Sequence, residues 1–596
     1  MLLNSDLLLK PDLSPELRRR AEAWLAEDPD PLTRAELAAL LASNDGVELA
    51  DRFRGALEFG TAGLRGVMGA GPNRMNRAVV RRTTLGLARY LKSMVPEVAE
   101  RGVVIGRDGR KLSDVFARDA AGVFAAEGIP VHYFPEVVPT PLVAFAVTHL
   151  TAACGVMVTA SHNPPEYNGY KVYWGNGAQI IPPHDHGIAA AIDAAGPAGD
   201  VVLLDHDAAK TRGVLRELGP GVGEAYLAGI LGLRLHGKDA AAVKIVYTAM
   251  HGVGGRWMVE ALRRAGFERV FPVPQQQEPD GDFPTVRFPN PEEKGAMDLA
   301  AALAQRHGAD LVLANDPDAD RLAVLTRDAH GYLRPLNGNE VGVLLGHYVL
   351  TQTKLRSPRA LVITSLVSSS QLLDMAVRLG ARSEVTLTGF KWIANRALAR
   401  AAEDGSDFVF GFEEALGYTV GTVVRDKDGI GAGLVFADLA AWCQGRGTSV
   451  RGYLEEIERE FGLYISEQKN FTFKGAEGAE VIRAIMGGFR KSPPASISER
   501  RVRAMRDYET SVSLSEGKLD TLNLPSSNVI AFDLDGGVRI TLRPSGTEPK
   551  IKYYFELRET LERLEPLERA RARAEERLRV VMDAFVVLAR ERGQPL

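Results

Sequence analysis

Gly155-Val156-Met157-Val158-Thr159-Ala160-Ser161-His162-Asn163-Pro164-Pro165 is the stretch from which the fold is read. An apolar run of strand length ends in a turn that holds a serine hydroxyl at its mouth. The same order recurs along the chain: apolar run, polar or glycine-bearing loop, helical pattern. Val103-Val104-Ile105 leads to Gly106-Arg107-Asp108-Gly109-Arg110, and Ile245-Val246-Tyr247 leads to His251-Gly252-Val253-Gly254-Gly255. Leu311-Val312-Leu313 leads to Asp316, Leu361-Val362-Ile363 to Thr364-Ser365, and Phe408-Val409-Phe410 to Glu413-Glu414. Such alternation predicts α/β units with largely parallel, buried strands, a unit repeated about three times. Ligands of these folds sit beyond the carboxyl ends of the strands, where all six loops would lie.

A chain of 596 residues is too long for one core and predicts about three to five domains. Its hydrophobic content of 45% and charged content of 25% are those of a soluble globular protein. A formal charge of -4 argues against a broad nucleic-acid surface, which needs a basic excess. Two cysteines, Cys154 and Cys443, supply neither a disulfide framework nor a cysteine metal site. The segment from Met1 to Ser14 carries Asp6, Lys10 and Asp12, so no signal peptide is expected. No run reaches the ~20 apolar residues that span a bilayer. A cytoplasmic location without membrane or nucleic-acid partners is expected.

Loop-like composition sets the expected boundaries. A first domain over 1–207 ends past Gly196-Pro197-Ala198-Gly199, and a second over 208–329 ends at a hairpin turn, Arg327 to Gly331. A third runs over 330–460, and after Phe461-Gly462 the texture changes to a smaller α+β domain over 461–596. At the start, Ser14-Pro15 reads as an N-cap before a first-turn proline, and Thr33 with Glu36 as a capping box. At the end, Leu567, Ala570, Ala574, Leu578, Val581, Phe585 and Leu588 fall at helical spacing. That spacing predicts a packed amphipathic helix.

Three segments carry the chemistry. Most turn serines merely bond the nearby backbone, and the small or apolar neighbours of Ser161 cannot activate its hydroxyl. Asp316-Pro317-Asp318-Ala319-Asp320-Arg321 offers three carboxylates from one tight loop, a spacing that suits Mg2+ and leaves room for phosphate oxygens. A calcium EF-hand is excluded, because Arg321 and Arg327 occupy the positions that need glycine and glutamate. An acidic turn capping a helix is the plain alternative. Arg543-Pro544-Ser545-Gly546-Thr547-Glu548-Pro549-Lys550 combines a guanidinium, hydroxyls and a glycine that bares backbone N–H groups, which suits a phosphate dianion. Serine, carboxylate cluster and phosphate cradle together point to phosphoryl transfer.

The Thr159-Ala160-Ser161-His162-Asn163-Pro164 string resembles the phosphoserine loop of the α-D-phosphohexomutases, and the resemblance continues in order through nearly the whole chain. It implies four domains around a central active-site cleft: three related α/β domains with mixed sheets, plus a smaller C-terminal α+β domain. By match to the family's motifs, Ser161 carries the phosphoryl group, and Asp316, Asp318 and Asp320 bind Mg2+ with a serine phosphate oxygen. Arg321 helps to neutralise that phosphate. Gly60-Thr61-Ala62-Gly63-Leu64-Arg65-Gly66 matches the family's arginine loop and places Arg65 near the transferring phosphate. Asn168-Gly169-Tyr170-Lys171 matches the segment whose lysine is the proposed acid/base, so Lys171 and His162 are the proton-transfer candidates. For His162, shaping the loop through a hydrogen bond is the alternative role.

Glu413 and Glu414 match the sugar-recognition loop, where carboxylates accept paired hydrogen bonds from vicinal hydroxyls. Ala415 stands where many members have serine, and Tyr418 where some have histidine. Gly389-Phe390-Lys391-Trp392 resembles the neighbouring specificity loop, with Lys391 meeting a phosphate or hydroxyl. The match at Arg543, Ser545, Gly546, Thr547 and Lys550 implies a clamp on the non-reacting phosphate. These details look most like the phosphoglucomutase-2/phosphopentomutase branch. The implied reaction interconverts α-D-glucose 1-phosphate and glucose 6-phosphate, with glucose 1,6-bisphosphate as intermediate and activator. Phosphopentomutase or phosphomannomutase activity, and a non-catalytic phosphosugar-binding protein, are the alternatives. Small sugar phosphates are the expected partners of a monomer or small homo-oligomer.

Overall fold

The computed structural model describes residues 13–58, 63–352, 357–473, 475–545, 550–562 and 565–593. Three α/β domains with mixed sheets are followed by a C-terminal domain built on an antiparallel sheet, the expected fold class. The chain divides into two compact units. One comprises Met1–Leu325 with Thr419–Asp438, the other Thr326–Tyr418 with Leu439–Leu596.

The first unit contains a six-stranded sheet in the order Leu64–Val67, Tyr167–Trp174, Cys154–Val158, Val103–Arg107, Val131–Tyr133, Leu215–Glu217. Every residue of Cys154–Val158 is buried, as a strand covered by helices on both faces requires. It runs parallel to Val103–Arg107 and antiparallel to Tyr167–Trp174. The expected boundary at 207 falls inside helix His206–Thr211, and the edge strand Leu215–Glu217 comes after it. A polar linker composition therefore marked a helix that still belongs to the first sheet.

A second sheet in this unit has Lys244–Thr248 between Arg269–Pro272 and Leu311–Ala314, all parallel. The loops that follow Thr248 and Ala314 thus leave the same end of the sheet. At the N-terminus, the Ser14 hydroxyl accepts from the Leu17 N–H and caps helix Pro15–Glu27, as expected. The next helix, Pro31–Ala42, begins earlier than the Thr33/Glu36 pair predicts. Asp30 caps it through the Leu32 N–H, with Pro31 in the first turn. The Glu36 carboxylate is engaged elsewhere, by the Ala70 N–H and the Arg52 guanidinium.

In the second unit, Ala360–Ser365 lies between Arg382–Thr386 and Asp407–Glu413, all parallel. Chain reversal at Asp328 to Tyr332 confirms the expected hairpin turn, with the Gly331 N–H bonded to Asp328 O. The C-terminal sheet runs antiparallel from Leu463–Thr472 through Lys550–Glu559, Val538–Pro544, Ile530–Leu534 and Arg500–Asp507. Helix Leu567–Arg592 buries Leu567, Ala570, Ala574, Leu578, Val581 and Phe585 of the face that periodicity predicts, with Leu588 half-buried. Among the described residues, no helix is long and apolar enough to cross a membrane.

Candidate active site

Strand register brings the first group together. Leu64–Val67, Tyr167–Trp174 and Cys154–Val158 are neighbours, so Arg65, Lys171 and the loop carrying Ser161 come from adjacent strands. Met157 pairs with Lys171, next to the point where the chain turns toward the serine. Ser161 is buried with φ of 54°. Its N–H donates to Thr159 Oγ1 at 2.9 Å, which tightens the turn.

The second sheet supplies the carboxylates. After Ala314 the chain forms a loop in which Asp316, Asp318 and Asp320 are each almost wholly buried. One oxygen of each lies within 4.8 Å of the others, an arrangement that can hold a metal ion. Glycines let this loop pack closely. A Cβ on Gly252 would sit 2.4 Å from Pro317 Cα, and one on Gly429 would sit 2.2 Å from Arg321 O.

Ser161 Oγ donates to Asp316 Oδ2 at 2.9 Å across 155 residues of sequence, and lies 3.1 Å from His162 Nδ1. Lys171 Nζ donates to Asp318 Oδ2 at 2.7 Å and Asp320 Oδ2 at 2.9 Å. Arg321 Nε is 3.9 Å from both Asp316 and Asp320, and Arg65 Nη1 donates to Asn163 Oδ1 at 2.9 Å. Asp318 Oδ1 and Asp320 Oδ1 are buried with no hydrogen-bond partner. Hard oxygen donors, clustered and partly unsatisfied, fit a divalent cation.

Electrostatics divide the aspartates. Burial, then the charges of Asp318 and Asp320, push the Asp316 carboxyl well up. Burial opposes ionisation of Asp320 too, but Lys171, Lys427 and Arg321 outweigh it and hold this carboxyl far below the usual range. Burial, with Arg321 and Arg65 nearby, keeps His162 neutral by lowering its pKa well below 6.5. Burial lowers Arg65 to about 10, Arg321 contributing, so it remains a cation at neutral pH.

Sequence reasoning missed three contributors here. Lys427, from Arg425-Asp426-Lys427-Asp428-Gly429, has its Nζ 3.2 Å from Asp320 Oδ2. Thr140 Oγ1 donates to Asp318 Oδ2 at 2.6 Å. Arg110 bonds the serine loop from beneath. The charged run around Lys427 was the available signal; for Thr140 no local pattern exists.

The second unit brings together another set. Glu413 ends its strand and accepts the Gly389 N–H at 2.5 Å. Gly389 has φ of 117° and begins helix Phe390–Asp404, which carries Lys391 in its first turn. Ser368 Oγ donates to Glu414 Oε2 at 3.1 Å and accepts the Glu414 N–H at 3.0 Å, while Ser365 Oγ lies 2.7 Å from Ser368 Oγ. Arg543 is the penultimate residue of strand Val538–Pro544, and the Ser545 N–H donates to Lys550 O at 2.7 Å. Charges of Glu414, Arg543 and Glu413 all act on the Tyr554 hydroxyl, so the two carboxylates and Arg543 share one neighbourhood. Gly546 and Thr547, like Gly60 to Ala62, lie outside the described residues.

Residues 56–198, 224–331 and 337–461 match "Phosphoglucomutase/phosphomannomutase, alpha/beta/alpha" domains I, II and III. Residues 498–574 match the C-terminal domain of the same family. The chain belongs to the phosphoglucomutase/phosphomannomutase family.

Its relatives bear different names. A Mus musculus protein named phosphopentomutase is 39% identical, the match covering 91% of this chain and 90% of that one. A Homo sapiens protein named glucose 1,6-bisphosphate synthase is 34% identical over 98% of this chain and 96% of its own. In structure, a phosphoglucomutase/phosphomannomutase family protein from Burkholderia thailandensis shares the fold with a TM-score of 0.65. It is 19% identical, over 89% of this chain and 96% of its own. As a member of this α-D-phosphohexomutase family the chain is an enzyme of the isomerase class, an intramolecular phosphotransferase.

Proposed function

We propose that this phosphohexomutase interconverts α-D-glucose 1-phosphate and glucose 6-phosphate through a phosphoryl group carried on Ser161. The observation that carries this reading is Ser161 Oγ, 2.9 Å from Asp316 within a buried three-aspartate cluster. A substrate hydroxyl oxygen attacks phosphorus, the P–O bond to Ser161 breaks, and the hydroxyl proton leaves. The product of this half is glucose 1,6-bisphosphate. In the second half Ser161 Oγ attacks the other phosphate, and the sugar oxygen is released and takes up a proton. His162 and Lys171 are offered for these proton transfers.

Asp316, Asp318 and Asp320 would hold Mg2+, whose charge stabilises negative charge developing on the phosphoryl oxygens. Arg65 and Arg321 bind those oxygens as guanidinium forks. Glu413 and Glu414 accept hydrogen bonds from the sugar hydroxyls, with Gly389 and Lys391 shaping the adjoining loop. Arg543, Ser545, Gly546, Thr547 and Lys550 clamp the phosphate that is not reacting. Glucose 1,6-bisphosphate primes the serine. The domain divisions at 329 and 460, with the first boundary moved past Leu215–Glu217, a cytoplasmic site of action, and a monomer or small homo-oligomer belong to the same proposal.

A second reading, phosphopentomutase, is favoured by two observations: Ala415 stands where many members carry a serine hydroxyl, and a relative named phosphopentomutase is 39% identical. Purified protein assayed with Mg2+ on glucose, mannose and ribose 1-phosphates tests both readings. The highest kcat/KM is expected on glucose 1-phosphate; a clear preference for ribose 1-phosphate would establish the second. Ser161→Ala should abolish turnover and the single-phosphate mass increment while the fold persists. Near-normal activity would remove Ser161 as nucleophile.

A further inference from the structure

We infer that Arg110 is a positioning residue that fixes the reactive shape of the Ser161 loop, and that Asp108 fixes Arg110. The inference rests on the mutase reading of Ser161. With φ of 54°, Ser161 stands in the left-handed region, which L-residues other than glycine enter at a cost. Something in the surroundings must impose that conformation.

Arg110 is placed to do so. Its Nη2 donates to Ser161 O at 2.7 Å and Asn163 O at 2.5 Å. Its Nη1 donates to Pro164 O at 2.9 Å and Tyr167 O at 3.2 Å. One planar fork thus gathers four carbonyls from the turn that begins at the nucleophile. Both amino nitrogens are fully engaged, so this guanidinium acts through the loop and not by contact with a phosphate.

Arg110 is itself held. Its side chain and that of Asp108 are both 0% exposed, with Nε 3.4 Å from Asp108 Oδ2. Asp108 Oδ1 accepts the Arg110 N–H at 3.0 Å and the Ser113 hydroxyl at 2.7 Å. The Phe283 ring lies 4.9 Å from Arg110 Cζ. A Cβ on Gly281 would come within 2.8 Å of Lys111 N, so the segment before Phe283 sits directly on this loop. A lysine cannot reproduce the arrangement, because an ammonium lacks a flat fork.

The test uses full-length protein carrying Arg110→Lys, Arg110→Met or Asp108→Asn. It measures kcat and KM for glucose 1-phosphate, Tm, and the rate at which glucose 1,6-bisphosphate adds phosphate to Ser161, followed by intact mass. For Arg110→Met, kcat and the phosphorylation rate should both fall about 100-fold, the scale of a misplaced reacting group. KM should hardly change. Arg110→Lys and Asp108→Asn should show smaller falls in the same two rates, with Tm near the parental value, and they answer the question if Arg110→Met does not fold. Parental rates in folded variants, or a raised KM at unchanged kcat, would overturn the inference. A Ser161→Ala control separates the two ideas. If that control retains activity, the mutase reading falls; if it is inactive while folded Arg110 variants keep parental rates, this inference alone falls.

Discussion

Gly252 shows how much of the site depends on a side chain that is missing. A Cβ there would lie 2.4 Å from Pro317 Cα and 2.5 Å from Pro317 O, backbone atoms that cannot rotate away. Gly252→Ala should therefore displace the aspartate loop, lowering stability by about 1–3 kcal/mol and reducing kcat. Gly487 is the contrasting case: it lies in helix Gly475–Lys491 with open space where a Cβ would stand. Gly487→Ala should stabilise the protein by roughly 0.5–1 kcal/mol through the helix alone. Urea melts of both variants check the pair, and equal effects would refute the steric account. Neither glycine was distinguishable by sequence, because the contact at Gly252 is with residue 317 and not with a neighbour along the chain. Ser161 and Asp316, by contrast, were legible as residues, since each sits in a motif of a few positions.

Helices and strands were legible where period and composition agreed. Cys154–Val158 and Leu567–Arg592 follow from an apolar run and from helical spacing. The start of Pro31–Ala42 was misread because Thr33 and Glu36 imitate a capping box, while tertiary partners take the Glu36 carboxylate. Helix Gly338–Thr351 carries a buried titratable group that no local pattern revealed. His347 Nδ1 lies 2.6 Å from the Tyr453 hydroxyl, and burial, with help from Arg446, lowers its pKa from 6.5 to about 4. The folded state thus keeps this ring neutral where the unfolded chain would protonate it. Stability from this group is complete above pH 6.5 and is lost as pH falls toward 4, in total about 3 kcal/mol. A His347→Gln variant should show a flatter stability-against-pH curve between pH 6.5 and 4 than the parent. Parallel curves in denaturant titrations would count against the assignment.

Across the whole molecule, two compact units imply that unfolding need not be a single step. The aspartate cluster lies within the first unit, so a divalent cation should stabilise that unit selectively. At 100 times its Kd, Mg2+ should add about 2.7 kcal/mol. Calorimetry should show one transition moving upward with Mg2+ and returning with a chelator, and Asp318→Asn should remove most of the shift. A uniform shift of all transitions would contradict a cluster confined to the first unit.

Local sequence by itself determined the strand–loop–helix repeat and the loops that bear serine, aspartates and arginine. Hydrophobic period and short motifs are complete within about ten residues, so nothing distant is needed to read them. Only the tertiary structure decided which of these groups touch. Lys171 meets Asp320 across 149 positions, Arg110 meets the Ser161 carbonyl across 51, and Lys427 returns to Asp320 from a later crossing of the chain. Those pairings arise from strand order and buried charge seeking partners, neither of which leaves a trace in adjacent residues.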